Sequence, residues 1–222
     1  LPHIVERGID WYRGLGHDVD TGTFLFSISG HVKKPGNYEL PHGITWRQLI
    51  FDVAGGIRDD NELKAWVPGG ASAPWFVPSE HLDIEITKHV TDSNGSMLGS
   101  GAVIVMDETT DMVAAAERLV RFFAEESCGQ CTPCREGTTW LDMILQRMLD
   151  GGGRSVDLDL LYDVSDNISV GVGWPPKQTT ICPLGPSAVS PVKSLLEYFR
   201  DEAEAHIARA NRVPLTIKGA GL

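Results

Sequence analysis

Ser127-Cys128-Gly129-Gln130-Cys131-Thr132-Pro133-Cys134-Arg135 sets three cysteines at steps of three residues, and the fourth cysteine of the chain follows 48 positions later in Ile181-Cys182-Pro183-Leu184. A C-x2-C-x2-C triplet with a remote Cys-Pro is the spacing of ferredoxin-type cubane sites, where one tight loop presents three thiolates to three iron corners. Gly129 permits the tight turn, and Pro133 is expected to keep the segment out of regular helix. A helix predicted from Arg135 would place Cys134 at its N-terminus. There the positive dipole end and the Arg135 charge would favour the reduced state of an all-thiolate cluster. Two other chemistries remain open on spacing alone. Structural zinc also uses four cysteines, though usually as two separated C-x2-C pairs. Cys131-Thr132-Pro133-Cys134 has the form of a dithiol redox motif, but a helical segment and not a strand leads into it. Structural disulfides are not expected in a chain of 222 residues with a core of its own.

On both sides of this stretch the apolar period is helical. Asp111 to Glu125 aligns Met112, Val113, Ala116, Leu119, Val120 and Phe123 on one face and Glu117, Arg118, Arg121 and Glu125 on the other. Arg135 to Leu149 aligns Leu141, Ile144, Leu145 and Met148, and Gly151 to Gly153 ends it. A third helix fits Val156 to Asn167. A fourth is predicted from about Ser190 through Ile207, with Pro191 at its first position. Four amphipathic helices imply a bundle over residues 108–208, with a tail from 209 to 222.

Toward the N-terminus the period changes from helical to alternating. Phe24, Phe26 and Ile28 alternate with Leu25, Ser27 and Ser29, as a half-buried strand requires. Lys34-Pro35-Gly36-Asn37 is a turn signal, with Gly36 expected at positive φ, and Tyr38 to Leu40 resumes the strand. Thr45 is a candidate N-cap for a helix carrying Trp46, Leu49, Ile50 and Val53, which Gly55-Gly56 should stop. Strands are predicted around Ala65–Val67 and Ala102–Met106. Residues 23–107 thus read as a small α+β domain with one helix on a mixed sheet. Residues 1–22 hold a short helical pattern and a Gly- and Asp-rich break, and read as a connector.

Nineteen basic against thirty acidic residues give a net charge of −11. Without a basic block, nucleic acid and anionic membrane surfaces are poor partners. No apolar run of about eighteen residues occurs, so no membrane insertion is expected. Leu1 to Glu6 lacks the basic region and apolar core of a targeting segment, so none is expected there.

Glu126-Ser127-Cys128-Gly129-Gln130-Cys131-Thr132-Pro133-Cys134-Arg135-Glu136-Gly137 closely resembles the cluster motif of the NADH-binding flavoprotein subunit of respiratory complex I, which has relatives in NAD-linked hydrogenases and formate dehydrogenases. Ser29-Gly30-His31-Val32, Pro35-Gly36-Asn37-Tyr38 and Ala54-Gly55-Gly56 are similar to that family's ubiquitin-like β-grasp (SLBB-like) domain. Gly95 to Gly101 and Val103 to Asp107 are similar to the segment leading into its helical domain. The resemblance implies an α+β chain in which a ubiquitin-like β-grasp domain precedes a four-helix-bundle iron–sulfur domain. It implies a [4Fe-4S] cluster on Cys128, Cys131, Cys134 and Cys182. By the same resemblance the chain is the C-terminal half of the flavoprotein, because Leu1 to Val5 matches a point midway through the family and no phosphate-binding Gly-rich loop occurs.

The role implied is the iron–sulfur electron-transfer part of NADH:quinone oxidoreductase, an oxidoreductase of the respiratory chain. FMN and NADH would belong to the parent subunit. The implied partners are other peripheral-arm subunits of complex I, including the small [2Fe-2S] subunit and the large iron–sulfur subunit. The implied location is the cytoplasmic side of the bacterial plasma membrane, as a peripheral part of a membrane complex. Alternatives are the diaphorase subunit of an NAD-linked hydrogenase or formate dehydrogenase, or a zinc-stapled assembly module. Gly171 to Gln178 looks longer than the family's usual connection. Of the remaining residues, His81 and His89 are expected at the surface and Trp140 in the core or beside the cluster. Arg200 to Glu204 is expected as a solvated face, and the β-grasp domain is expected to have a structural and interface role, because no polar cluster in it suggests a pocket. No acid–base catalytic arrangement stands out.

Overall fold

The computed structural model describes residues 1–210. Two compact units result, the first Leu1–Thr110 with Gly173–Lys177, the second Asp111–Val172 with the chain from Gln178 onward. No helix among the described residues is long and apolar enough to cross a membrane.

The first unit opens with two short helices, α1 (Pro2–Arg7) and α2 (Ile9–Arg13), neither of which buries a residue. β1 (Thr23–Gly30) then pairs antiparallel with β2 (Gly36–Pro41), Phe26 opposite Tyr38 and Ile28 opposite Gly36. Gly36 lies outside the left-handed region and starts β2. The positive φ falls instead on Gly30, at 84°, where any Cβ would lie 2.2 Å from the Val105 carbonyl oxygen.

Thr45 is an N-cap as expected, and its partner is Gln48. The Gln48 N–H donates to Thr45 Oγ1 at 3.2 Å while the Thr45 N–H donates to Gln48 Oε1 at 2.9 Å, a reciprocal capping box. The turn that follows winds wider than an α-helix over Gln48–Val53, so the Ala54 N–H reaches the Leu49 carbonyl. This rotation buries Ala54 beside Ile50, and Gly55 and Gly56, at φ 76° and 85°, end the turn.

β3 (Leu63–Val67), α3 (Pro78–His81), α4 (Lys88–Ser93) and β4 (Ala102–Asp107) complete the unit. The sheet order is β2-β1-β4-β3, with β4 parallel to β1 and antiparallel to β3. Trp46, Trp66 and Phe76 pack with ring centroids 5.8–5.9 Å apart at the centre of the core, among Phe26, Ile86 and Val105.

A further expectation fails in this unit. His81 is buried, its ring stacked 4.1 Å from that of Phe76, and only His89 is exposed. A polar cluster is also present. Asp107, with no exposed surface, accepts from Arg58 Nε, Asn61 Nδ2, Thr109 N and Thr109 Oγ1, and pairs with His31 Nδ1 at 2.8 Å. Arg58, Asn61 and His31 are all distant from Asp107 in sequence, so no local pattern marks the cluster.

The second unit has five helices among the described residues, not four: α5 (Met112–Glu126), α6 (Thr132–Leu149), α7 (Asp157–Ile168), α8 (Leu184–Tyr198) and α9 (Arg200–Ala210). The expected fourth helix is two. α8 starts six residues before Ser190, so Pro191 lies inside it, and the chain leaves helical geometry at Phe199 (φ −132°). Inside a helix proline removes one N–H and kinks the axis, which the burial of Ser190 and Pro191 against neighbouring helices offsets. α9 continues through Arg209 to Ala210, so the tail expected from 209 starts no earlier than 211 and lies outside the described residues.

The apolar stripes read from the sequence form the core of this unit: Met112, Val120, Leu141, Leu145, Leu161, Val192 and Leu195 are all buried. Glu117 departs from its expected solvent face. It is buried and ion-paired with Arg121, which also reaches Asp142 at 3.6 Å. Burial and the Asp142 charge push the Glu117 carboxyl above the usual range, against the opposing pull of Arg121. Glu202, expected on a solvated face, accepts the Met112 N–H at 2.8 Å and satisfies an open donor in the first turn of α5.

Candidate metal centre

The triplet occupies the loop after α5 and the first turn of α6. Cys131 is the N-cap and Thr132, Pro133 and Cys134 are the first three helical residues, so the helix begins three positions earlier than predicted. Pro133 lies inside the helix, where the N–H it lacks would have had no partner. Cys128 is exposed, Cys131 half-buried and Cys134 buried. Gly129, at φ 78°, turns the loop. Its carbonyl accepts from Arg135 Nη1 at 2.6 Å, and its N–H donates to Ser127 Oγ at 3.4 Å. Ser127 Oγ in turn lies 3.3 Å from Cys134 Sγ. The Arg135 guanidinium also binds Glu136 at 2.8 Å, which offsets the free positive charge expected beside the cluster. Arg135 acts here as a strap across the loop.

Cys182 arrives on the loop before α8. Gln178 Nε2 donates to the carbonyls of Thr180 at 2.8 Å and Ile181 at 2.9 Å, and Thr180 Oγ1 donates to the Cys182 carbonyl at 2.6 Å. So held, the Ile181 N–H donates to Cys131 Sγ at 3.3 Å. One residue before the fourth cysteine, the two loops meet. On the other side of Cys182, a Cβ at Gly185 would lie 3.2 Å from the Cys134 Cβ. The sequence places all four cysteines at the starts of α6 and α8, and the fold sets these two helix starts against each other.

The donor set and its surroundings fit a negatively charged iron–sulfur group. Cys131 and Cys134 stand at the N-terminus of α6, with Cys128 in the loop before it, and Cys182 directly precedes the N-cap of α8; first-turn N–H groups there lack partners within the helix and the helix dipoles favour negative charge. Among the described residues no group of three or more His, Cys, Asp or Glu side chains is gathered closely enough to hold a metal ion.

Ser127, Gln178, Thr180 and Gly185 contribute to the centre without having been singled out in sequence. Only Ser127 carried a local signal, a hydroxyl directly before the triplet. Trp140 is neither core nor shield: it is 54% exposed and lines an open cleft with Thr132, Pro133, Gly137 and Val164.

A mixed-sheet domain followed by a helical domain with four thiols at two helix starts defines the class: an iron–sulfur protein with an appended β-rich module. Residues 25–73 match the SLBB domain, and residues 114–206 match the family described as the NADH-ubiquinone oxidoreductase-F iron-sulfur binding region. The chain is 47% identical over 207 residues to the F protein of NADH-quinone oxidoreductase from Mycobacterium tuberculosis, covering 93% of this chain and 44% of that protein. It is likewise 47% identical over 207 residues to the same-named protein of Streptomyces coelicolor, with 93% and 44% covered, and 42% identical over 208 residues to that of Rickettsia massiliae, with 93% and 47% covered. The chain therefore spans under half the length of these curated relatives, and it matches their C-terminal part. Among solved structures, an NAD+-reducing [NiFe]-hydrogenase in the H2-reduced state aligns with a TM-score of 0.78 at 30% identity, over 92% of this chain and 33% of that one. The second unit thus belongs to the oxidoreductase-F iron–sulfur binding family, and its cofactor is a 4Fe-4S cluster.

Proposed function

We propose that Cys128, Cys131, Cys134 and Cys182 hold the [4Fe-4S] cluster and that the chain is the iron–sulfur electron-transfer part of an NADH:quinone oxidoreductase. The observation that carries the ligand set is the hydrogen bond from the Ile181 N–H to Cys131 Sγ at 3.3 Å, which ties the loop of the remote cysteine to the triplet. When bound, the cluster supplies one-electron transfer, taking electrons singly from the FMN of the parent subunit after NADH oxidation and passing them to the next cluster. The chain's own residues bind the iron through four sulfurs, bury one side of the site at Cys134 and leave Cys128 and Cys182 toward solvent.

The partners in this reading are other peripheral-arm subunits, including the small [2Fe-2S] and the large iron–sulfur subunit. The location is the cytoplasmic side of the bacterial plasma membrane. Support comes from the bacterial relatives named for the complex. A second reading, the diaphorase subunit of an NAD-linked hydrogenase, is favoured by the structural alignment with the NAD+-reducing hydrogenase. The partners that co-purify with the protein separate the two.

The test is EPR of anaerobically purified, dithionite-reduced protein, with iron, sulfide and zinc quantified on the same sample. About four irons per chain with a cubane signal is the expected result. Cys182→Ser should lose or convert the cluster. Zinc without sulfide, or a normally reducible cluster retained in Cys182→Ser, would overturn the assignment.

A further inference from the structure

We infer that Ser127 is a positioning residue that sets the reduction potential of the centre: its hydroxyl donates a hydrogen bond to the Cys134 sulfur and favours the reduced state. The inference rests on the cluster reading above and adds to it a residue that is not a ligand.

The direction of the bond follows from the chemistry of the two atoms. Ser127 Oγ and Cys134 Sγ are 3.3 Å apart, and as isolated groups either could donate. A ligating cysteine is a thiolate and has no proton to give. The hydroxyl must then be the donor. Its lone pair is already engaged, because the Gly129 N–H points at Ser127 Oγ from 3.4 Å. A hydroxyl that accepts on one side donates more strongly on the other. Gly129 is itself fixed, since Arg135 Nη1 holds its carbonyl at 2.6 Å. Arg135, Gly129, Ser127 and Cys134 thus form a short closed circuit of contacts that ends on one sulfur.

That sulfur is the buried one of the four. Water competes for hydrogen bonds at exposed Cys128 and Cys182, whereas at Cys134 the Ser127 hydroxyl works in a drier setting, where a bond to a charged acceptor is stronger. Reduction adds one electron to the cluster and one unit of negative charge shared by its sulfurs. No bond breaks, and the hydroxyl proton stays on Ser127. The added charge strengthens the O–H···S bond, so the bond stabilises the reduced state more than the oxidised one. Cys131 receives a comparable bond from the Ile181 N–H. That donor is backbone and only proline would remove it, at the cost of reshaping the loop, which makes Ser127 the experimentally separable contributor.

The experiment is a redox titration of the iron-loaded full protein carrying this chain, monitored by EPR, comparing wild type with Ser127→Ala and Ser127→Thr. Ser127→Ala is expected to keep its four irons while its reduced-to-oxidised ratio at a fixed poise falls about tenfold, equivalent to about 59 mV for a one-electron couple. Ser127→Thr, which keeps the hydroxyl, should return the ratio to near that of wild type. Hyperfine spectroscopy of the wild type after exchange into D2O should show one exchangeable proton coupled to the reduced cluster that Ser127→Ala lacks. An unchanged potential in a fully loaded Ser127→Ala protein would overturn the inference and leave the electron-transfer reading intact. Loss of iron from Ser127→Ala, with no exchangeable proton coupled in wild type beyond backbone N–H donors such as Ile181, would also overturn it, because Ser127 would then only stabilise the loop. A wild-type protein without iron and sulfide would overturn the underlying reading itself.

Discussion

Asp107 stands at the end of β4 with no exposed surface, and the charge it keeps there depends on its neighbours. Burial alone would raise its pKa, but hydrogen bonds from Thr109, Asn61 and His31, together with the His31 charge, outweigh that and hold the carboxyl well below the usual range. A group with a depressed folded pKa stabilises fully above its unfolded value, about pH 4, and that contribution fades as pH falls toward the folded value. Asp107→Asn puts an amide donor among donors and should cost about 3 kcal/mol at neutral pH. The gap between the urea midpoints of wild type and variant should then begin to narrow below about pH 5 and go on narrowing as pH falls toward the folded value. A gap that stays constant over that range would show that the Asp107 charge is not what stabilises. Nothing local in Val103 to Thr109 announces this cluster, since Arg58, Asn61 and His31 arrive from other loops and strands. His81 is buried by the turn that lays its ring on Phe76, and its polar neighbours gave no sign of that contact. Glu117 was equally hidden, because its partner Arg121 was legible only as another polar residue on the outer face. The cysteines were legible because a three-residue step is a property of the loop itself; Ser127 needed the fold to show where its hydroxyl points.

Elements that follow a period were readable; where they begin and end depended on partners outside them. The apolar stripes of α5 and α6 are buried as their spacing required, yet α6 starts at Thr132 because Pro133 suits a first turn as well as it suits a loop. α8 runs through Pro191 because burial among neighbouring helices outweighs the lost hydrogen bond, which no local pattern reveals. Close packing between elements yields two predictions. Gly137 on α6 faces Ile168 at the end of α7, and a Cβ there would lie 2.6 Å from Ile168 Cδ1 and 2.7 Å from Cγ1. Ile168 is fully buried, so Gly137→Ala should overpack the helix contact and destabilise the second unit by about 1–3 kcal/mol, read from denaturant unfolding. Gly185 opens α8 between two structures of the centre. A Cβ there would meet the Cys134 Cβ and Thr180 Cγ2, each at 3.2 Å. Gly185→Val should therefore push the Cys182 loop away from the triplet and lower the iron bound per chain, while helical circular dichroism stays near that of wild type. Full iron content in Gly185→Val would mean that the loop gives way without disturbing the ligands.

At the scale of the whole chain, the division near residue 110 could be read because the apolar period changes from two residues to nearly four. The assignment of Gly173–Lys177 to the first unit could not, because that segment lies between α7 and Cys182 in sequence and its grouping is set by tertiary contacts. The division has a thermodynamic consequence. The four proposed ligands all lie in the second unit, and a bound group stabilises only the cooperative unit that holds it. Trp46, Trp66 and Trp75 are buried in the first unit and report its unfolding by their emission, whereas helical circular dichroism is dominated by the second. Removing iron with a chelator under anaerobic conditions should lower the thermal midpoint seen by circular dichroism and leave the tryptophan transition near its starting value. Cys182→Ser should reproduce that shift without chelator. In the proposed ligand set, sulfur-to-iron bonds would close a loop from Cys134 to Cys182, so their loss would free a long segment of the unfolded chain as well as remove bonds from the folded one. Both effects act on α6 to α8 and neither reaches the sheet. If both probes move together by the same amount, the two units unfold as one, and the metal centre then stabilises the β-rich domain as well as the helices around it.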